Sequence, residues 1–197
     1  MSVNSIQTWV IVAVILLALV GAAWLITREQ RRKQSQRLRQ RFGPEYARVI
    51  SERGGQTQAE AELRAREKRV ERLKLHALTA EDATRFGEAW AALQTRFVDN
   101  PRLAVVEADR LVQDLMVRRG YPMTDFERRA ADISVEYPTV VGAYRSARAI
   151  AVRDQDGQAS TEELRQAVVY YRTLFDELLE TSRPKLASAT DTEAVHT

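Results

Sequence analysis

The feature that most constrains this chain is an apolar run near its N-terminus, residues 9–26. No charged side chain occurs before Arg28. A helix over the run would be about 27 Å long, close to the roughly 30 Å hydrocarbon core of a bilayer. Its many Val, Ile and Leu residues favour membrane insertion by about 3 to 6 kcal/mol in total. We therefore predict that residues 1–27 form a single transmembrane helix.

A cleaved secretory signal peptide is the main alternative for this run. Such a peptide needs a basic segment, an apolar core of about 7 to 15 residues and a small-residue cleavage site. Residues 1–8 contain no Lys or Arg, and the Gly-Ala-Ala at residues 21–23 is followed by further apolar residues instead of a polar mature start. The sequence thus favours a retained anchor.

Basic residues directly after the run indicate its orientation. Arg and Lys far outnumber the single acidic residue, Glu29, over residues 28–41. Cytoplasmic segments carry such an excess, so we expect the N-terminus outside and the C-terminal domain in the cytoplasm. The lipid bilayer is an expected partner, since anionic headgroups attract basic residues by about 1 kcal/mol each near the surface. The expected membrane-interface residues are Trp9, Trp24, Arg28, Arg31, Arg32 and Lys33.

The two tryptophans admit a second interpretation. Trp9 and Trp24 lie near the ends of the run, where an indole ring suits the membrane interface. Both would also suit an ordinary protein core. The interface assignment therefore depends on the anchor itself.

Residues 28–76 carry an excess of Lys and Arg, whereas residues 77–197 carry an acidic excess. The basic excess predicts a juxtamembrane stalk over residues 28–76. Topology and lipid contact explain a basic segment beside an apolar run more simply than nucleic acid does, and we do not expect nucleic acid as a partner. The stalk should be helical, with a Gly-Pro break at residues 43–44 and a glycine hinge at residues 54–55.

Residues 58–76 predict an exposed, coiled-coil-like helix with a thin apolar stripe of Leu63, Val70 and Leu73. Leu63 and Val70 are one heptad apart, which would suit a homo-oligomer formed through this helix. The same stripe would also suit packing on the chain's own domain. The segment contains too few heptads to distinguish this packing from a homo-oligomer.

Residues 77–182 predict a five-helix bundle, so the expected fold class is all-α. Apolar residues recur there at helical spacing, and no segment alternates with a period of two. The helix starts are marked by Thr79, by Asn100 before Pro101, by Thr124 with Glu127, by Tyr137-Pro138, and by Ser160 with Glu163. These are capping and first-turn signals. Residues 183–197 are expected to form a disordered tail.

Motifs for catalysis or cofactor binding are absent from the sequence, and no catalytic, cofactor or metal residue is predicted. The chain has no cysteine and only two histidines, His76 and His196. Asp154, Asp156, Gly157 and Glu163 follow part of a calcium-binding EF-hand pattern, but Val152 occupies its first ligand position. A polar turn between helices is therefore the better interpretation.

Aromatic side chains gather at the predicted helix junctions. Tyr121, Phe126, Tyr137 and Tyr144 would suit a partner-binding groove, because aromatic groups supply large contact area at low entropic cost. The plainer interpretation is core packing and turn chemistry, and the sequence favours it.

Several short segments carry a resemblance to known proteins. They are RFGPEY at residues 41–46, RGYP at 119–122, FERRAAD at 126–132 and Tyr-Arg at 144–145. Over about residues 40–180 the chain resembles a family of uncharacterised bacterial single-pass membrane proteins with a cytoplasmic helical domain. The resemblance implies a bacterial inner-membrane setting, and it implies no activity and no functional residues.

These observations favour a membrane-anchored binding or scaffold module for an unidentified cytoplasmic protein. A membrane-tethered enzyme of unfamiliar type and a structural, self-associating membrane protein are the alternatives. A deep pocket with convergent carboxylates or arginines would favour the enzyme, whereas a shallow apolar groove would favour binding.

Overall fold

The computed structural model describes the backbone of residues 3–180 and the side chains of residues 27–180, together with Leu17, Leu19, Gly21, Ala22, Trp24 and Leu25. Within this part of the chain the protein is all-α, as predicted, with eight helices and no strand. The helices are α1 (Val3–Phe42), α2 (Pro44–Arg53), α3 (Gln56–Val70), α4 (Ala80–Phe97), α5 (Pro101–Arg118), α6 (Phe126–Glu136), α7 (Val141–Gln155) and α8 (Thr161–Glu180). The tail predicted at residues 183–197 and the side chain of Trp9 lie outside the described residues.

Helix α1 runs without a break from the predicted anchor into the stalk. No helix within the described part of the chain combines the length and the apolar character that a bilayer crossing requires. Most side chains of residues 9–26 lie outside that part, so the anchor stays a prediction. The helix ends at Phe42 because Gly43 adopts a left-handed φ of 47° and Pro44, which has no N–H, begins α2.

Helices α2 and α3 form a hairpin that encloses a small apolar core with the end of α1. Gly54, at a φ of 72°, closes α2 by donating its N–H to the Ile50 carbonyl. The core residues are Leu38, Phe42, Tyr46, Val49, Ala59, Leu63, Val70 and Val135. The prediction of an exposed helix is wrong for one face of α3, because Leu63 and Val70 are buried against neighbouring helices. Self-association through residues 58–76 stays a prediction, and the apolar stripe is used within the chain.

Helices α4 to α8 form the predicted five-helix bundle around a larger core. The rings of Trp90 and Phe175 lie 4.6 Å apart at its centre. Helix α8 packs on α5 and α7, and α4 packs on α5. Helix α6 links the two cores, since Ile133 belongs to the larger core and Val135 to the smaller one. The stalk hairpin is thus attached to the bundle through α6.

The predicted helix starts are confirmed at three positions. Thr79 and Asn100 accept hydrogen bonds from backbone N–H groups of their first turns, and Ser160 exchanges hydrogen bonds with Glu163 in a capping box. Side-chain oxygens at these positions satisfy donors that a helix leaves unpaired at its N-terminus.

Two predicted starts are wrong in detail. Asp125, not Thr124, caps α6 by accepting from the Arg128 N–H at 2.9 Å, and the Glu127 carboxylate accepts a hydrogen bond from Arg145 instead of closing a capping box. Tyr137-Pro138 does not begin a helix. Tyr137 is the C-cap of α6, and α7 begins only at Val141, after a turn over residues 138–140.

Candidate functional site

A buried carboxylate lies where the stalk meets the bundle. Glu45, in the first turn of α2, is 2% exposed. Its Oε1 accepts hydrogen bonds from Arg66 at 3.0 Å, Arg145 at 3.2 Å and Arg48 at 3.3 Å. Arg66 also donates to the Ser134 hydroxyl at 3.3 Å. We call these five residues the ionic junction; they come from α2, α3, α6 and α7.

Local backbone geometry explains how Glu45 reaches this position. The left-handed turn at Gly43 and the fixed φ of Pro44 start a new helix immediately after α1. The next residue, Glu45, therefore points back towards α3 and α7, where Arg66 and Arg145 contact it. A carboxylate in the first turn is also favoured by the helix dipole.

Further ion pairs surround the ionic junction and tie the stalk to α6. Arg69 on α3 contacts Asp132 at 2.6 Å, and this carboxylate is buried. On α1, Arg41 lies 3.0 Å from Glu67 and 3.7 Å from Glu136. Buried charges are costly unless they are paired, so these contacts specify how the helices dock more than they add net stability.

The pKa of Glu62, which lies beside the ionic junction, is lowered. Burial raises the pKa of this carboxyl, but the hydrogen bond from Arg66 and the charges of Arg66, Arg53 and Arg69 outweigh that effect. Glu62 accepts from Arg66 at 3.1 Å and lies 3.1 Å from Arg53. The folded chain therefore favours the ionised form of Glu62.

The stalk hairpin carries a second polar contact, between α2 and α3. The Tyr46 hydroxyl and the Gln56 amide both donate to Glu60 at 2.8 Å. The pKa of Glu60 is lowered. Burial raises it, but the hydrogen bonds with Gln56, Ser35 and Tyr46 together outweigh that effect. Burial also raises the pKa of Tyr46, against the hydrogen bond with Arg39.

A polar cleft of about 350 Å³ opens beside the ionic junction. Its charged lining residues are Glu52, Arg53, Glu62, Arg66, Arg69, Asp125, Glu127, Arg128 and Arg145. Each of these arginines except Arg128 pairs with a carboxylate in the described structure. An anionic ligand would have to displace those carboxylates, so the cleft is internally neutralised.

The structure places the four aromatic residues that the sequence offers as a partner groove in the larger core or against it. Phe126 and Tyr144 are together, with ring centroids 4.9 Å apart, and Tyr144 is fully buried. Tyr121 and Tyr137 are also buried, and Arg119 donates to the Tyr137 hydroxyl at 3.2 Å. Desolvation raises the pKa of both Tyr121 and Tyr144. These positions are those of core residues, and they do not form an open groove in this conformation.

An open groove does lie between α5 and α7, with a volume of about 520 Å³. Leu103 and Val106 are half-exposed on its wall. Asp109 and Asp154 lie at its polar edge, where Arg102 contacts Asp154 at 3.3 Å and Arg148 contacts Asp109 at 3.6 Å. We call it the α5–α7 groove; because the charges at its edge are paired, its half-exposed apolar wall is the part that suits the apolar face of an amphipathic partner segment.

Among the described residues, the predicted membrane-interface side chains lie on more than one face of α1. Trp24 is 58% exposed, and the guanidinium of Arg28 stacks over its ring at 5.2 Å. Arg31 and Arg32 line an open groove with these two residues. Lys33 points elsewhere and lies 3.9 Å from Glu29.

The EF-hand-like segment is occupied by other contacts. Asp154 pairs with Arg102, and Glu163 accepts from the Ser160 N–H at 2.8 Å and from Arg153 at 2.7 Å. Among the described residues, no cluster of three or more His, Cys, Asp or Glu side chains is placed to hold a metal ion. The segment is the polar interhelical turn that the sequence favours.

Sequence reasoning missed the residues of the ionic junction, although one signal was present. Arg66 lies three residues after Leu63 and four before Val70, on the same face of α3. A charged residue within an apolar stripe indicates a buried, paired charge. The partners Glu45 and Arg145 are too distant in sequence for this signal to identify them.

No protein-family model matches the chain, and no curated protein or solved structure is significantly similar to it. Three of the four segments that carry the resemblance, those at residues 41–46, 126–132 and 144–145, meet in space, because Arg145 contacts both Glu45 and Glu127.

Proposed function

We propose that this protein is a single-pass inner-membrane protein that holds a helical binding module at a fixed position on the cytoplasmic face. The continuity of α1 carries this proposal: one helix runs from Val3 to Phe42, and its end is part of the protein core. A bilayer segment at residues 9–26 would thus be joined to the module without a flexible linker.

The docked end of α1 supports a rigid attachment. Leu38 and Phe42 are buried, and Arg37 and Arg41 lie 3.5 and 3.0 Å from Glu67. Apolar burial and ion pairs on the same face restrict rotation of α1 against the bundle. A rigid mount suits a scaffold that positions a partner near the membrane.

The contacts of the two clefts favour binding over catalysis. The charged groups of the polar cleft are largely paired with one another, whereas the α5–α7 groove presents exposed Leu103 and Val106. We therefore assign partner binding to the α5–α7 groove, with a cytoplasmic protein segment as the expected ligand.

Cysteine labelling in spheroplasts tests the membrane placement directly, because the chain has no native cysteine. The variants are Ser2→Cys and Val98→Cys, the latter at an 83% exposed position of the bundle. A membrane-impermeant maleimide should label Ser2→Cys in intact spheroplasts and Val98→Cys only after lysis. Labelling of Val98→Cys in intact spheroplasts, or release of the chain by alkaline carbonate, would refute the proposal.

A matched control separates the apolar run from the remainder of the chain. Val14→Glu combined with Leu17→Glu places two charges in the run, and it should move the protein into the soluble fraction. Val106→Glu with Val169→Glu, at exposed positions of the bundle, should leave the fractionation unchanged.

A further inference from the structure

The basic residues of α1 divide between two faces of the helix. Arg37 and Arg41 face α3 of the stalk hairpin and pair with Glu67. Arg28, Arg31 and Arg32 make no ion pair with any described residue. Exposed arginines that the protein itself does not neutralise are available to an external anion.

These unpaired arginines line a groove of about 940 Å³, which we call the basic groove. Its lining residues are Trp24, Thr27, Arg28, Arg31, Arg32, Ser35, Gln36, Arg39 and Gln56. No carboxylate belongs to the lining, and the remaining polar groups are hydroxyls and amides. The basic groove therefore differs from the polar cleft, where carboxylates already occupy the guanidinium groups.

The lower end of the basic groove continues into exposed apolar surface. Leu17, Gly21, Trp24 and Arg28 follow one another at helical spacing on one face of α1. Leu17 is 79% exposed and Trp24 58% exposed. An occupant of this face would meet apolar side chains first and guanidinium groups one turn later, which is the order of acyl chain and phosphate in a phospholipid.

The height of each arginine along α1 limits which of them contact a headgroup. Arg32 lies about 12 Å beyond Trp24 along the helix, within reach of the headgroup layer when an indole marks the membrane interface. Arg39 lies about 16 Å beyond Arg28, above that layer, and its guanidinium is 5.3 Å from the centre of the Tyr46 ring. Arg39 thus belongs to the docking of α2.

We infer that the basic groove binds the phosphate of one anionic phospholipid of the cytoplasmic leaflet through Arg28, Arg31 and Arg32. Trp24 and Leu17 contact the lipid's apolar part. A free phosphate would use only the guanidinium groups and would leave this apolar stripe uncovered. The inference rests on the proposed membrane placement and adds a defined lipid ligand to it.

Native mass spectrometry of the full chain in a neutral detergent tests this inference. The chain is titrated with phosphatidylglycerol and, separately, with phosphatidylcholine of the same acyl composition. We expect one phosphatidylglycerol to bind with a preference of about tenfold or more. The variant Arg28→Gln/Arg31→Gln/Arg32→Gln should reduce the preference to about twofold or less.

The single variant Arg31→Gln should also lower the preference. Its matched control is Lys33→Gln, which likewise removes one charge at nearly the same height on α1 but outside the basic groove. It should keep the preference of the parent chain. Equal binding of both lipids by the parent chain, an equal loss in Lys33→Gln, or competition by inorganic phosphate at millimolar concentration would overturn the inference. Failure of the membrane placement is distinguishable, since it appears as carbonate release or reversed cysteine labelling and not as a changed lipid preference.

Discussion

At the residue scale, Glu45 shows how one buried charge specifies the position of four helices. Its carboxylate contacts Arg48, Arg66 and Arg145, and Arg66 in turn contacts Ser134. An apolar residue could fill the same space, but it would not favour one arrangement of these helices over another. The ionic junction therefore contributes specificity at a cost in desolvation.

Replacing Glu45 by Gln should destabilise the folded chain by about 3 kcal/mol. The substitution keeps the volume but leaves the guanidinium groups of Arg66 and Arg145 without their shared counter-charge. Urea unfolding of the full chain in detergent, followed by circular dichroism, measures the change.

Glu52→Gln is the control for that prediction. Glu52 also pairs with Arg48, but its side chain is 45% exposed, so the expected loss is below about 1 kcal/mol. If both variants lost the same free energy of unfolding, the prediction that the buried carboxylate of Glu45 contributes more than the exposed one of Glu52 would be contradicted.

The stability contributed by Glu62 should depend on pH. Its pKa is lowered from an ordinary value of 4.5, because hydrogen bonding and charge from Arg66 and Arg53 exceed the effect of burial. The ionised group therefore stabilises the fold fully above about pH 4.5, and this contribution is lost as the pH falls through the lower pKa of the folded state. The melting temperature of Glu62→Gln should lie below that of the parent chain at pH 7 and converge with it in acid. A constant difference over the whole range would contradict this assignment.

At the scale of elements, local signals predicted most helix starts because they depend on neighbouring residues only. Thr79, Asn100 and Ser160 cap helices through atoms within one turn. The start of α6 was misplaced because two adjacent residues could cap it, and the distant Arg145 decides where the Glu127 carboxylate goes. Sequence patterns specify such local choices but not the long-range partner.

The burial of α3 was missed for a related physical reason. Its apolar stripe is thin, so composition alone suggests an exposed helix. The structure completes the buried face with paired polar groups, Glu60, Arg66 and Glu67, each less than 10% exposed. Whether a charged side chain can be buried depends on a partner that the local sequence does not contain.

The connector between α3 and α4, residues 71–79, passes the C-terminal end of α5 and gives a test at this scale. Gly120 has a φ of 93°, and a Cβ at this position would lie 2.5 Å from the Lys74 carbonyl oxygen. The His76 N–H also donates to the Arg119 carbonyl at 3.1 Å, which holds the connector in place. Gly120→Ala should destabilise the chain by about 3 kcal/mol through backbone strain and this clash.

Gly87→Ala provides the comparison. Gly87 lies inside α4, and nothing is within 4 Å of a Cβ added there. Alanine should stabilise the helix by about 0.5 to 1 kcal/mol. Thermal melts measure the melting temperature of both variants relative to the parent chain. Shifts of the same sign in the two variants would argue against the described path of the connector.

At the scale of the whole molecule, the two cores make the stalk part of the folded unit. Helix α6 contributes to both cores, and α1 ends inside the smaller one. The proposed anchor, the basic groove and the α5–α7 groove therefore belong to one connected framework. A partner bound at the α5–α7 groove would be held in a defined orientation to the bilayer.

The distance between α1 and the bundle tests this central claim most directly. Spin labels at Gln34→Cys on α1 and Val169→Cys on α8 occupy exposed positions of a chain without native cysteine. Arg110→Cys with Val169→Cys provides the reference pair within the bundle. In lipid nanodiscs, double electron–electron resonance should give a single distribution for the first pair that is about as narrow as that of the reference pair. A broad or multiply peaked distribution for the first pair alone would show a flexible tether and contradict the rigid mount.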